Sequence, residues 1–334
     1  MIPFFSARQV EEAVPPALAY AAVRDAFGAF ARGEWTMIPK LYVGAYPAGD
    51  FRAMPALGGG HALLKWVTSF PGNPARGLPT VTGLVVLNNA ETGMLEAVLD
   101  AGAVTALRTG AAAVLAAETL GRADAGTAAV VGCGVNGRAS ARTFAALGRD
   151  VLLWDVDPAR AAAVAAELGA SVAASRHEAL SADLLVTVTP GREVLLPDGS
   201  LRPGQHVSLM GADGPGKAEI AVGEIARAHV FCDDWEQVGS NGIPDPSARV
   251  RLFCDDWEQA SHGGDLARAV EAGLISRDDV TQLGDVLTGE APGRQSDDDI
   301  TIFDSTGLAI QDLAIVLAAV EHAGELAGLP LLEL

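Results

Sequence analysis

The chain has 334 residues, of which 49% are apolar and 19% charged; this suggests two domains with a sizeable buried core and excludes extensive disorder. Its formal net charge of −19 makes nucleic acids and anionic membranes unfavourable partners, because an acidic surface repels phosphate. The three cysteines suggest neither a disulfide framework nor a metal site, and no signal peptide or apolar segment of bilayer length is expected, so the sequence predicts a cytoplasmic protein without a structural metal.

The N-terminal third predicts a mixture of helices and antiparallel strands. Apolar residues recur at helical spacing over residues 7–33, which predicts one amphipathic helix. From 36 to 90, short apolar runs alternate with glycine and proline, as is typical of strands joined by turns. The clearest predicted hairpin is TVTGLVVLNNAETGMLEAVLD, and a further helix is predicted over 105–120.

The middle of the chain predicts an α/β domain. The segment AGTAAVVGCGVNGRASARTFAALGRDVLLWDVD has the pattern strand, glycine-rich turn, helix, strand. Further alternation of strands and helices over 172–190 and 206–231 predicts a Rossmann-type, doubly wound parallel sheet. The last apolar segment, GLAIQDLAIVLAAVEHAGELAG, predicts a helix that could return to the first domain.

A short repeat interrupts this pattern. The heptapeptide FCDDWEQ occurs at 231–237 and again at 253–259. Identity over seven residues indicates a tandem duplication of 22 residues, with the duplicated segment spanning 232–253, and is too short for a repeat array. The intervening VGSNGIPDPSARVR is predicted to be an exposed loop because of its glycines and prolines.

The strongest local motif is the turn Gly132-Cys-Gly134-Val-Asn-Gly137. It follows an apolar strand and opens a helix, and Asp155 ends the next strand, which is the context that a dinucleotide fingerprint requires. Gly132 permits the tight turn, Gly134 the approach of the pyrophosphate and Gly137 the packing of the helix. A carboxylate at Asp155 would bind the ribose hydroxyls and repel a 2′-phosphate, so the motif predicts NAD rather than NADP.

Three residues outside the turn could take part in chemistry. Lys65 lies in the apolar strand LLKWV, where burial would lower its pKa, but periodicity alone favours a half-buried lysine that reaches solvent. Arg108 is placed near a helix start, which suits an anion or an ordinary ion pair. Asp213 follows the strand HVSLM, where ligands bind in this fold class, although a turn-forming aspartate fits equally well.

Lysine is rare in this chain. Only Lys40, Lys65 and Lys217 are lysines among the 23 basic residues. An arginine stays charged near neutral pH, whereas a buried lysine can lose its proton. A lysine that persists in this composition is therefore a candidate for chemistry that needs an amine.

Taken together, the motifs resemble the ornithine cyclodeaminase/mu-crystallin family. The similar stretches are LKWV with SFPGNPARGLPT, ALRTGAAA, GCGVNG, GADGPGK and ITIFDSTGLAIQD, in this order from about residue 36 to 315. MIPKLYV, GDFRAMPA and CDDWEQASHGGD are most similar to archaeal-type alanine dehydrogenases. The resemblance implies a Rossmann domain at 121–305 inserted in an α+β substrate-binding and dimerisation domain formed by 1–120 plus 306–334. The 22-residue duplication has no counterpart expected in the family.

The resemblance also implies roles for individual residues. Lys65 corresponds to the active-site lysine, so the resemblance favours a buried amine of lowered pKa there, and Asp213 corresponds to the catalytic aspartate. Lys40 and Arg52 match positions that hold the substrate carboxylate, and Arg108 one that reaches both cofactor and substrate. The expected nucleotide site consists of Arg108, Gly132, Gly134, Val135, Asn136, Gly137, Asp155, Gly211, Ala212 and Ser305, the last near the nicotinamide.

The implied activity is the NAD-dependent oxidative deamination of a small L-amino acid, with L-alanine giving pyruvate and ammonia, and the reverse reaction, in a homodimer. An ornithine cyclodeaminase is one alternative; it recycles its NAD and needs an acidic group for the distal ammonium, for which Arg52 is unfavourable. A ketimine reductase is a second alternative that Asp155 disfavours, because it would use NADPH. A non-catalytic, crystallin-like NAD(P)H-binding protein is the third.

Overall fold

The computed structural model describes residues 1–191, 193–212, 217–225, 227, 229–232, 265–276, 279, 281–326 and 328–333. The strands are β1 Ile2–Phe5, β2 Thr36–Met37, β3 Leu41–Ala45, β4 Gly49–Gly58, β5 His61–Ser69, β6 Val81–Asn89, β7 Leu95–Asp100, β8 Ala128–Val131, β9 Val151–Trp154, β10 Ser171–Val172, β11 Leu184–Thr187, β12 His206–Leu209, β13 His229–Cys232, β14 Thr281–Gln282, β15 Thr301–Asp304 and β16 Leu331–Leu332. The helices are α1 Ala7–Ala13, α2 Pro16–Ala31, α3 Ala101–Leu120, α4 Val135–Ala146, α5 Pro158–Leu168, α6 Arg176–Leu180, α7 Val222–Ile225, α8 Asp265–Glu271, α9 Leu283–Thr288 and α10 Ala309–Glu321.

The chain forms two compact units. The first unit comprises Met1–Arg108 and Leu308–Leu334, and the second comprises Thr109–Gly307. One boundary between the units therefore lies inside α3, after Arg108, whereas the sequence analysis placed it after residue 120. The other lies two residues beyond the expected 305, and the C-terminal helix α10 belongs to the first unit.

The first unit contains a mixed sheet with the strand order β16-β1-β7-β6-β5-β4-β2, in which β3 also pairs with β4. The pairing of β1 with β7 is parallel, and the other pairings are antiparallel. The predicted hairpin is confirmed as β6 and β7. One face of the sheet is covered by α10, which also packs on α2, so the core of this unit lies between the strands and these helices.

The opposite face of this sheet is apolar and exposed. Leu41, Ala53, Trp66 and Leu84 lie side by side in register across β3, β4, β5 and β6. Leu41 is 58% exposed, Trp66 42% and Leu84 48%. The ring of Phe51 stacks on Trp66 with 5.8 Å between the ring centroids. Such a contiguous apolar surface is uncommon on a monomeric protein.

The second unit contains a parallel sheet with the strand order β10-β9-β8-β11-β12-β15-β13-β14. Chain order reverses on the two sides of β8, since β9 and β10 extend to one side and β11 and β12 to the other. This is the doubly wound arrangement, and its crevice for ligands lies at the carboxyl end of the strands where the order reverses. The predicted fold class is confirmed.

Two helix predictions were wrong. Residues 7–33 form α1 and α2 rather than one helix, because Pro16 has no amide hydrogen to donate and restricts the residue before it to extended backbone. Helix α3 begins at Ala101 rather than 105, since the carboxylate of Asp100 accepts a hydrogen bond from Ala103 N at 2.8 Å and so caps it. Arg108 therefore lies within α3, and its placement near a helix start was wrong.

Helix α3 also corrects the expectation about apolar length. It is long and apolar enough, by length and composition alone, to cross a bilayer, and among the described helices it alone passes that test. The central helix of a soluble domain passes the same test, and 83% of the apolar window of α3 is buried inside the protein. Its burial accounts for its composition.

Candidate active site

Lys65 lies near the middle of β5 on the covered face of the first sheet. Side chains alternate between the two faces of a strand, so Leu63 and Val67 are buried with it while Leu64 and Trp66 are exposed. The Lys65 side chain is 1% exposed. The lysine reaching solvent from a half-buried strand, which periodicity alone favours, is therefore wrong.

The Lys65 ammonium is surrounded by charged and polar groups. Its Nζ lies 2.6 Å from Oδ2 of Asp312 in α10 and donates a hydrogen bond to Thr105 Oγ1 at 3.3 Å. Nε of Arg108 lies 3.5 Å from the other carboxylate oxygen of Asp312. Burial lowers the pKa of Lys65 to about 7; Asp312 opposes this shift, and the positive charges of Arg108 and Lys40 add to it. An amine with this pKa can accept or donate a proton near neutral pH.

Arg52 belongs to the same face as Lys65. Met54 pairs directly with Lys65 across β4 and β5, and Arg52 stands two positions before Met54. The Arg52 guanidinium forms an ion pair with Asp50, with 2.6 Å between Nε and Oδ1, and lies 5.3 Å from the centroid of the Tyr42 ring. These contacts hold the Arg52 cation on the face of the sheet that also carries the buried amine of Lys65.

The sequence interpretation missed Asp312 and Gln311. Both side chains are fully buried in α10, and Oε1 of Gln311 accepts hydrogen bonds from Arg108 and from Leu308 N, each at 3.3 Å. The signal was present in the sequence, because a carboxylate and an amide stand side by side inside an otherwise apolar helix. A buried charge is rare unless it is paired, so it predicts a partner in the core.

The glycine-rich turn lies between β8 and α4 in the second unit. Gly132 adopts a φ of +99°, which residues with side chains rarely adopt. A Cβ on Gly137 would lie 1.7 Å from the carbonyl oxygen of Gly132, so α4 packs against the turn with no room for a methyl group. At Gly134, by contrast, a Cβ would meet nothing within 4 Å. There is open space beside the turn, as the approach of a diphosphate requires.

Helix α4 starts at Val135, with Gly134 as its N-cap and no side chain capping it. The first amides of a helix, here those of Val135, Asn136 and Gly137, have no carbonyl partner within the helix. Together with the helix dipole, such amides suit a phosphate group. Since β8 is also the strand where the sheet order reverses, the turn lies where this fold binds ligands.

Asp155 immediately follows β9 and is buried beside the turn. Its Oδ2 accepts a hydrogen bond from Cys133 N at 2.6 Å and its Oδ1 one from Asp157 N at 2.8 Å. A carboxylate accepts about four hydrogen bonds, so Asp155 retains capacity for two ribose hydroxyls. Burial raises the pKa of the Cys133 thiol to about 12, and this cysteine stays protonated. The turn and Asp155 fit the ADP-ribose part of a dinucleotide.

The remaining predicted nucleotide residues lie at the same edge of the sheet. Gly211 and Ala212 follow β12, and Ser305 follows the neighbouring parallel strand β15, with Ser305 N donating to Leu209 O at 3.1 Å. Glu219 is fully buried and accepts hydrogen bonds from Gly211 N at 3.0 Å and Thr189 N at 2.8 Å. A buried carboxylate thus fixes the backbone after β11 and β12.

Two sequence-based predictions fall outside the described residues. Asp213 is one, and the loop between the two copies of FCDDWEQ is the other. Of the remaining predicted site residues, the structure brings Lys40, Lys65 and Arg108 together in the first unit and places Arg52 on the face that carries Lys65. The glycine-rich turn, Asp155, Gly211, Ala212 and Ser305 share one edge of the second sheet.

Fold and site together define an α/β protein with a dinucleotide-binding turn and a buried amine. The profile of the Ornithine cyclodeaminase/mu-crystallin family matches residues 3–325. The chain belongs to this family.

Relatives and solved structures resemble the chain over nearly its whole length. The alanine dehydrogenase of Archaeoglobus fulgidus is 40% identical over 322 residues, which cover 94% of this chain and 93% of that protein. The structure of an archaeal alanine dehydrogenase dimer with bound NAD matches with a TM-score of 0.84 and 37% identity, covering 97% and 96% of the two chains. The iminosuccinate reductase of Paracoccus denitrificans in complex with NAD⁺ matches with a TM-score of 0.82 and 27% identity, covering 97% of each chain.

Proposed function

We propose that this protein is an NAD-dependent amino-acid dehydrogenase that converts L-alanine, water and NAD⁺ to pyruvate, ammonium, NADH and a proton, and catalyses the reverse reaction. The observation that carries the proposal is the buried amine of Lys65, with a pKa of about 7, close to Arg108 and Lys40. The 40% identity to an alanine dehydrogenase supports this substrate among those used in the family.

The second unit would hold the cofactor. The turn from Gly132 to Gly137 suits the diphosphate, and Asp155 suits the hydroxyls of the adenosine ribose. Bound NAD supplies the acceptor for the hydride that leaves the α-carbon of the amino acid. Gly211, Ala212 and Ser305 stand at the same sheet edge and would line the nicotinamide end. A 2′-phosphate would meet the carboxylate of Asp155, so we expect NAD to be preferred to NADP.

The first unit would hold the amino acid. Arg52 and Lys40 are the proposed partners of its carboxylate, with Arg108 beside them. The pairs Asp50–Arg52 and Asp312–Lys65 leave each of these carboxylates engaged with a cation. A substrate with a second, distal ammonium would have to compete for them, and this supports a small neutral side chain over a diamine.

Lys65 would handle protons. Loss of two electrons from the amino acid gives an imine, whose carbon is attacked by water, and a base must take a proton from that water. Neutral Lys65 can do so, and Asp213, carried over from the family resemblance, would share this task. Because the pKa of Lys65 is about 7, we expect deamination to speed up as the pH rises through 7 and the reverse reaction to favour the charged amine.

The test is a screen in which alanine, ornithine, lysine, arginine and proline are each offered with NAD⁺ and the formation of NADH is measured by its absorbance. The proposal expects NADH formation with alanine and much less with NADP as the oxidant. Conversion of ornithine to proline without net formation of NADH would contradict the proposal and identify the protein as a cyclodeaminase. Tight NADH binding without turnover of any amino or keto acid would also contradict the proposal and identify a non-catalytic NADH-binding protein.

We further propose that the protein is a homodimer formed through the exposed apolar face of the first sheet. The row Leu41, Ala53, Trp66 and Leu84 offers a surface that a second copy could cover, and the archaeal alanine dehydrogenase was solved as a dimer. Sedimentation should give a dimer for the wild type and a monomer for Leu84→Glu. Val172→Glu, a change at a residue of similar exposure in the second unit, should remain dimeric.

A further inference from the structure

Asp312 carries a carboxylate in the middle of the apolar helix α10. Its side chain is fully buried and lies 2.6 Å from Lys65, which is itself 1% exposed. Its other carboxylate oxygen faces Arg108 at 3.5 Å. One carboxylate therefore lies between two buried cations contributed by different elements, β5 and α3.

Stability alone does not account for this arrangement. Removing two charges from water costs several kcal/mol per ion, and buried ion pairs can often be replaced by apolar residues of similar volume without loss of stability. Leu, Ile and Ala fill most of α10, so an apolar side chain at position 312 would suit the helix. The carboxylate has a clearer use as a group that acts on its partner.

The partner it acts on is the amine. Without the carboxylate, the ammonium of Lys65 would face the positive charges of Arg108 and Lys40 in a site shielded from water, and it would lose its proton more readily. It would also lose a contact that fixes the direction of Nζ, leaving Thr105 Oγ1 as a hydrogen-bond acceptor at 3.3 Å. The groups facing Lys65 are Asp312 of α10, Arg108 and Thr105 of α3, and Lys40, together with its apolar cross-strand neighbours Met54 of β4 and Val85 of β6. The Asp50–Arg52 pair lies further along the same face of β4.

We propose that Asp312 is a positioning residue of the reaction: it orients the Lys65 amine and sets the pH at which that amine exchanges its proton. The inference rests on the proposed function for its catalytic meaning. The effect of the Asp312 carboxylate on the titration of Lys65 can be measured without a known substrate.

The lysine content of the chain allows a direct measurement. Lys40, Lys65 and Lys217 are its only lysines, so protein labelled with ¹³C-lysine gives three Cε signals to follow by NMR during a pH titration. Lys40→Arg and Lys217→Arg assign the signals by loss of one peak. The Lys65 signal of the wild type should titrate near neutral pH, well below the pKa of about 10.4 of an ordinary lysine.

Asp312→Asn is the deciding variant, because it keeps the shape of the side chain and removes the charge. We expect the Lys65 midpoint to fall by about one pH unit or more. Asp50→Asn is the matched control, since it removes the carboxylate paired with Arg52, and should leave the midpoint within a few tenths of a unit. An unchanged Lys65 midpoint in Asp312→Asn, or an equal shift in both variants, overturns the proposal.

A second variant covers the case in which Asp312→Asn does not fold. Asp312→Glu keeps the charge but moves the carboxylate by one methylene, so the Lys65 midpoint should move from its wild-type value; no movement overturns the proposal here too. In the active enzyme, Asp312→Asn should lower kcat by about 10²-fold with a small change in the KM for alanine. If no amino acid is turned over, the proposed function fails while the titration still decides the role of Asp312.

Discussion

In the first unit the candidate site consists of charged side chains, whereas in the second it consists mainly of backbone. Lys65, Asp312 and Arg108 are buried charges held against each other, with 2.6 Å and 3.5 Å between the paired atoms. In the second unit the buried carboxylates have another use. Asp155 and Glu219 accept hydrogen bonds from backbone amides and so hold loops in place.

The difference separates two ways in which a substitution can act. In the first unit, a change of charge alters proton affinity in a site shielded from water, where electrostatic effects are large. In the second unit, a change of shape alters the path of the backbone and hence the fit of a nucleotide. Substitutions in the first unit should therefore affect turnover most, and those in the second unit nucleotide affinity.

The largest expected effect is that of Lys65→Arg. Arginine keeps the charge but cannot give up its proton near neutral pH, so turnover should fall by about 10²–10⁴-fold while NADH still binds. Lys40→Arg makes the same replacement at a residue proposed only to attract a carboxylate, and should retain most of kcat with a higher KM. Steady-state kinetics and NADH fluorescence titrations measure both. Equal losses in the two variants would contradict a special need for an amine at position 65.

The next largest effect concerns the glycine-rich turn. In Gly137→Ala the new methyl group would lie 1.7 Å from Gly132 O, so the backbone must shift; we expect a loss of about 1–3 kcal/mol in the free energy of unfolding together with weak NADH binding. Gly134→Ala meets open space and should leave stability within about 0.5 kcal/mol, yet weaken NADH binding because the methyl group would occupy the approach of the diphosphate. Unfolding curves and NADH titrations of the pair separate the two effects. Normal NADH binding by Gly134→Ala would contradict the proposal that the diphosphate binds beside Gly134.

The same contrast explains what the sequence could predict. The parallel sheet, the turn and the place of Asp155 follow from local patterns, because apolar runs, glycines and strand ends leave marks at fixed spacing. The environment of Lys65 depends on α3 and α10, which are distant in sequence, so burial in the strand LLKWV could be suspected but its partner could not be identified. The family resemblance supplied roles for Lys65 and Arg108 but not for Asp312.

The errors in local structure also have particular causes. The periodicity over 7–33 continues through two prolines, and a search for helical spacing alone does not register the missing amide hydrogen of Pro16. For α3, the decisive feature was the cap formed by Asp100, which lies before the apolar run that was taken as the helix. In both cases a hydrogen bond or its absence set the boundary.

Asp155→Asn tests whether a side chain in the second unit also selects the nucleotide. In the variant, the NH₂ group of the asparagine side chain would face a backbone N–H that now donates a hydrogen bond to Asp155. The ribose would also lose a charged hydrogen-bond acceptor. We expect a loss of about 1.5–3 kcal/mol in NADH affinity, roughly ten- to a hundredfold, with little loss or a gain for NADPH. Titrations with both nucleotides check this. An equal loss for both would assign Asp155 to support of the turn rather than to selection.

The smallest expected effect concerns His206, a fully buried histidine in the second unit. Its Nδ1 lies 2.9 Å from Thr301 Oγ1 and its Nε2 lies 3.0 Å from Ser208 Oγ, and burial holds its pKa well below 6.5. The folded protein keeps this ring neutral while the unfolded chain takes up a proton below about pH 6.5, so its contribution to stability is complete above that pH and declines as the pH falls.

Urea unfolding between about pH 7 and pH 5 should therefore show a decline in the free energy of unfolding, with His206 contributing at most about 1.4 kcal/mol per pH unit. The decline should be less steep in His206→Gln, whereas His177→Gln, which removes an exposed histidine, should retain the wild-type slope. Identical slopes in His206→Gln and the wild type would mean that the ring takes up its proton in the folded protein as readily as in the unfolded chain. The second unit would then hold a buried cation as well as the carboxylates of Asp155 and Glu219, and its difference from the Lys65 cluster would be smaller.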